Sequence, residues 1–99
     1  MSEWNCRGKH SLLLAEKASL EGKNENAEMY YDASIREAHS SRFVHEEGLA
    51  CELAASHHEA KGNKVKAKEL FLRAKQCYDD WGSPIKTLQI SDHLDALER

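Results

Sequence analysis

From Lys64 to Trp81 the residues Val65, Ala67, Leu70, Phe71, Ala74, Cys77, Tyr78 and Trp81 recur mostly at steps of three and four, with charged residues between them. That period winds a single apolar stripe along a helix. Leu49, Ala50, Leu53, Ala54 and His57 repeat the pattern over about 46–61. Gly62-Asn63 separates the two runs, so residues 46–82 are predicted to form one helical hairpin. A hairpin cannot bury its apolar face alone, and the chain holds a second one. A slide of forty residues lays Leu13 on Leu53, Ala15 on Ala55, Gly22 on Gly62, Ala27 on Ala67, Tyr30-Tyr31 on Leu70-Phe71 and Ser34 on Ala74. Small residues face small ones and large face large, as a repeated packing geometry requires.

The pattern predicts five helices in one domain over 1–99: hairpin 1 at about 6–40, hairpin 2 at about 46–82 and a last helix at about 84–98. The first helix carries Leu12, Leu13, Ala15 and Ala18, and Gly22 ends it. Asn24 is the expected N-cap of the second, whose inner face is Ala27, Tyr30, Tyr31, Ser34, Ile35 and Ala38. A linker from Ser40 to His45 docks through Phe43 and Val44. Gly82-Ser83-Pro84 stops one helix and starts the next, leaving Ile85, Leu88, Leu94 and Leu97 for burial. No stretch alternates apolar and polar over a strand's length, so the fold class is all-α.

Composition narrows function more than fold. The chain of 99 residues is 40% hydrophobic and 31% charged, with a net charge of −3. A mild acid excess argues against a nucleic-acid partner. The basic run Lys61, Lys64, Lys66, Lys68, Arg73 and Lys75 reads either as a solvated outer face or as a docking surface for an acidic partner. No apolar run approaches the roughly 20 residues of a membrane span, and no membrane partner is expected. The start MSEWNCRGKH lacks an apolar core segment, and the three cysteines have no metal-like spacing. Reduced thiols in a cytoplasmic setting are therefore expected. Trp4, with little apolar company, is expected to be exposed.

Candidate chemistry is sparse. Glu47, Cys51 and His58 fall on one helix face. His57 and His58, however, diverge by about 100° as helix neighbours and cannot easily share a metal. No metal and no cofactor is expected; one of the two histidines should pack inside while the other is solvated. No serine or cysteine has a nucleophile–base context and no glycine loop suits a phosphate, so no enzyme activity is expected. Asp79-Asp80, at the unfavourable end of a helix for anions, is read as surface acids.

Ala55, Gly62, Ala67, Phe71 and Ala74 stand in the register of a tetratricopeptide repeat, as do Ala15, Gly22, Ala27, Tyr31 and, less well, Ser34. The chain therefore resembles that family, with a period of forty in place of about 34. Over nearly its whole length, through LLLAEKASLEGKNENAEMYYDASIREA, HEEGLACELAASHHEAKG and CYDDWGSPIKTLQISDHL, it is similar to a helical segment of very large signalling proteins. In those proteins the segment lies between a predicted ATPase and the sensor and histidine-kinase modules; His57-His58 stand where that family carries aromatics. The resemblance implies two hairpins and a capping helix in a right-handed stack. It implies a non-catalytic protein–protein interaction module whose groove takes a protein or peptide. The groove residues would be Lys9, His10, Leu13, Lys17, Cys51, Glu52 and His58, with neighbours on the Arg36 side at the rim. Two alternatives stand beside it: a homodimerisation or spacer element, since two repeats are fewer than the three or so a stack needs, and a metal- or redox-responsive sensor.

Overall fold

Five α-helices follow one another with breaks of two or three residues: α1 (Cys6–Leu20), α2 (Asn24–Ser41), α3 (Val44–Ala60), α4 (Lys64–Trp81) and α5 (Pro84–Leu97). The computed structural model describes the backbone of residues 6–97 and the side chains of residues 11–97. No strand occurs among the described residues, and the all-α class with five helices stands. Trp4 lies outside them.

The four breaks share one design. Gly22, Arg42, Gly62 and Gly82 all have positive φ, at 78°, 61°, 85° and 89°. In each break the amide of this residue donates three residues back, and the next amide donates five back. The pairs are Gly22 to Ser19 with Lys23 to Ala18, Arg42 to His39 with Phe43 to Ala38, Gly62 to Glu59 with Asn63 to His58, and Gly82 to Asp79 with Ser83 to Tyr78. This doubly bonded stop satisfies the last carbonyls of each helix and turns the chain back. It recurs every twenty residues, and the helices recur every forty: α2 and α4 begin at Asn24 and Lys64, α3 and α5 at Val44 and Pro84.

Two expectations are corrected by these breaks. The linker between the hairpins is Arg42-Phe43 alone, because the αL turn at Arg42 lets α2 run on to Ser41 and α3 start at Val44. Asn24 is the first residue of α2, not its cap. Lys23 holds that place without a side-chain bond, whereas its equivalent Asn63 accepts from the Lys66 amide at 3.3 Å.

Arg42 is the only non-glycine with positive φ among the described residues. An L-residue pays roughly 1–2 kcal/mol in this region, and glycine gives part of that back through the entropy of the unfolded chain. Arg42→Gly is therefore expected to stabilise the fold by about 0.5 kcal/mol and raise the melting temperature by about 3 °C. Thermal unfolding followed by circular dichroism checks this; a lower melting temperature would show that the arginine side chain supplies more than its backbone costs.

The molecule measures 42 × 34 × 16 Å. The thin dimension admits two helix layers about 10 Å apart. Ala15, Ala27, Ala55, Ala67 and Ala74 have no exposed surface and mark where helices cross closely. Tyr31 and Phe71 fill the space between them. α5 joins the core through Ile90 and Leu94. Val65, Trp81, Leu49, Ile85, Leu88 and Leu13, all counted on the apolar stripes, are exposed. Each stripe is wider than the surface its neighbour covers.

Candidate protein-interaction surface

The residues expected to line the groove do not form one surface. Leu13 and Lys17 lie open on α1. Cys51 is fully buried and His58 is 7% exposed, so neither presents a side chain to a partner. Both sit on the face of α3 that the neighbouring helices cover, and the periodicity had left that choice of face open. Glu52 is half-buried, held by the Tyr78 hydroxyl at 3.0 Å and by Lys86 Nζ at 3.1 Å. The side chains of Lys9 and His10 lie outside those described.

Most of the buried polar groups tie helices together. Glu47, at the start of α3, accepts from Arg73 of α4 at 2.9 and 3.1 Å and pairs with His39 of α2 at 3.2 Å. The Tyr31 hydroxyl donates to Glu16, and Ser11 to Glu37 at 3.3 Å, joining α1 and α2. His93 of α5 meets Glu59 at 2.7 Å and lies 4.7 Å from the Phe71 ring. Asp80 accepts from Gln76 on its own helix at 2.9 Å. His57 and His58 are both buried, contrary to the expectation that one is solvated. His57 Nδ1 lies 2.9 Å from Ser19 Oγ, and its ring packs 5.5 Å from Tyr31. Their places at the end of α3 face the first hairpin, which the sequence alone could not show.

Burial sets the titration of this interior. It pushes the Cys51 thiol up to about 12 and the Cys77 thiol to about 11, the latter helped by the charge of Glu47. Both are free, and the thiolate is the reactive and metal-binding form. Among the described residues no three His, Cys, Asp or Glu side chains converge to hold a metal ion.

Burial, partly offset by the charge of Glu28, also pulls His58 below its ordinary 6.5. The unfolded chain then takes up a proton that the folded chain resists. The contribution of His58 to stability is complete above pH 6.5 and is lost as the pH falls through its lowered folded value. His58→Gln is expected to remove that part of the acid sensitivity. Urea unfolding of both proteins from pH 8 to pH 5 checks this: parallel curves would show that His58 does not carry it.

One surface does gather unlike chemistry. Met29, Asp32, Ile35 and Arg36 of α2 face Lys66, Leu70 and Arg73 of α4 across a groove of about 350 Å³. The two helices place these residues at steps of three and four, so each sends one stripe to the groove. Ile35 and Leu70 are buried and make an apolar floor, while Met29 is exposed at the side. Arg36 and Lys66 outweigh Asp32, and Arg73 is already paired with Glu47. The groove is thus net basic in a chain of net charge −3. Lys66 and Arg73 belong to the basic run seen in the sequence. Met29 and Asp32 were missed, and the Arg36 side was expected only as the rim of a groove on α1 and α3, because only the fold brings these α2 residues opposite α4.

No helix is long and apolar enough to cross a membrane among the described residues. No family model, no curated protein and no solved structure matches the chain.

Proposed function

We propose that the chain is a non-catalytic protein-interaction module that takes an acidic, amphipathic segment of a partner protein in the α2–α4 groove. The observation that supports this is the pairing of an apolar floor, Ile35 and Leu70, with the cations Arg36 and Lys66 at the rim. Buried apolar anchors with a polar rim are what peptide recognition uses. Charge of one sign at the rim selects partners of the other and speeds their approach. A cytoplasmic role, within or beside a larger signalling protein, accords with two buried, unpaired thiols and with the sequence resemblance.

The probe is a labelled amphipathic peptide carrying leucines and glutamates at helical spacing, set against a version with lysine for every glutamate. Binding of the acidic peptide by fluorescence anisotropy is expected to weaken with salt. It is expected to fall about fivefold in Arg36→Glu and again in Lys66→Glu, at unchanged melting temperature, as a rim charge worth about 1 kcal/mol requires. Equal binding of the two peptides, or no loss in the variants, would sink the reading.

A further inference from the structure

The forty-residue recurrence shows which side of each first-in-hairpin helix is meant to be covered. His57, on α3, packs onto the preceding hairpin through Ser19 and Tyr31. His93, on α5, does the same through Glu59 and Phe71, with Leu97 partly buried beside it. The corresponding stripe on α1 is Leu13, Lys17 and Leu20, with one residue at each helical turn. Here it is open: Leu13 is 69% and Leu20 90% exposed.

The opposite end is open as well. α1 packs on α2, and through Ser19 on α3; α5 packs on α4, and through Lys86 and His93 on α3. The outer face of α5 carries Ile85, 71% exposed, and Leu88, 64% exposed, together with the exposed acids Asp92 and Asp95. Beside it Trp81, Gly82, Ser83, Pro84 and Ile85 line a hollow of about 420 Å³. One end therefore presents leucines flanking a cation, and the other a hollow and leucine flanked by carboxylates. Glu21, near the first end, is paired with Lys23 at 3.4 Å.

We propose that these two ends bind each other between copies of this chain, head to tail. α1 of one copy lies antiparallel on α5 of the next. Leu20 enters the Trp81–Ile85 hollow, Leu13 and Leu20 bracket Leu88, and Lys17 reaches Asp92. The contact joins two different surfaces, so it leaves a free end on every complex and builds open chains rather than closed dimers. A single helix-on-helix contact makes a small interface, so the association is weak and driven by concentration.

Light scattering on the full chain is expected to show a mass that starts at 11.2 kDa and climbs past twice that value without a plateau as the concentration rises into the millimolar range. Leu20→Glu and Leu88→Glu each spoil one end, at exposed positions where the fold is kept, as circular dichroism verifies. Each alone is expected to stay at the mass of one chain. An equimolar mixture is expected to form a complex of two chains and stop there, because each variant retains the end the other has lost. Four outcomes would overturn the proposal: a wild-type mass of one chain throughout, a closed dimer, variants that still associate, or a mixture that remains monomeric. Arg36→Glu leaves this assembly unchanged whether or not the groove binds the acidic peptide, so the two readings fail separately.

Discussion

Arg73→Met is expected to lower stability by about 2–3 kcal/mol, since removing one partner of a buried pair strands the other charge. The Glu47 side chain is only 10% exposed, and Arg73 supplies two of its contacts. Once Arg73 is gone, the carboxylate keeps His39 at 3.2 Å and little water. The cost falls below the roughly 3–5 kcal/mol of a fully enclosed pair, because Arg73 is itself 45% exposed in its side chain. For a chain of this size the total is about 5–15 kcal/mol, so the loss is a large share. The double variant Glu47→Met with Arg73→Met should recover most of it, because a buried ion pair replaced by apolar groups is often neutral. Urea unfolding of the four proteins in the cycle decides. A single variant within about 0.5 kcal/mol of wild type, the usual range for surface changes, would show that Glu47 finds water or another donor.

Gly48→Leu is expected to cost about 3 kcal/mol, the upper part of the range for overpacking. A Cβ built on Gly48 meets Cys77 Cβ and two atoms of the Tyr78 ring, all at 3.2 Å. Neither neighbour can step aside. Cys77 Cβ is fixed by the α4 backbone, and Tyr78 is buried with its hydroxyl on Glu52. α3 and α4 must separate, or Tyr78 must leave Glu52. Gly48→Ala is milder, because the gain of about 1 kcal/mol in helix propensity offsets part of the strain. Melting temperatures of the two variants test the ordering wild type, Ala, Leu. A leucine variant as stable as wild type would mean that the helices are not held at this separation.

The two cases differ in what could be read in advance. Gly48 is the fifth residue of α3, inside a helical run, where glycine weakens the helix. No close approach was expected there from the sequence; the glycine alone hints at one and says nothing of its partner on α4. Glu47 and Arg73 both look like ordinary surface charges on amphipathic helices, and only the crossing of α3 over α4 makes one of them interior. Arg42 is an intermediate case. Gly22, Gly62 and Gly82 stand at positions whose common step is twenty, which points at residue 42. An arginine there carries no turn signal of its own, so the linker was expected to be longer than it is.

The sequence by itself determined the helices, their number, nearly all their ends and the forty-residue recurrence. These depend on local periodicity and on glycine, proline and asparagine at the stops, and such signals act over a few residues. The structure decided which of two apolar edges of each helix is covered. It buried His57, His58 and Cys51, opened Leu13, Ile85 and Leu88, and set Arg36 across from Lys66. Those outcomes depend on crossing angles and helix separations, which are set by side-chain volumes from several helices at once. A stripe of period near four says that a helix has an inside. How wide that inside is, and which neighbour covers it, is known only when the neighbours are in place.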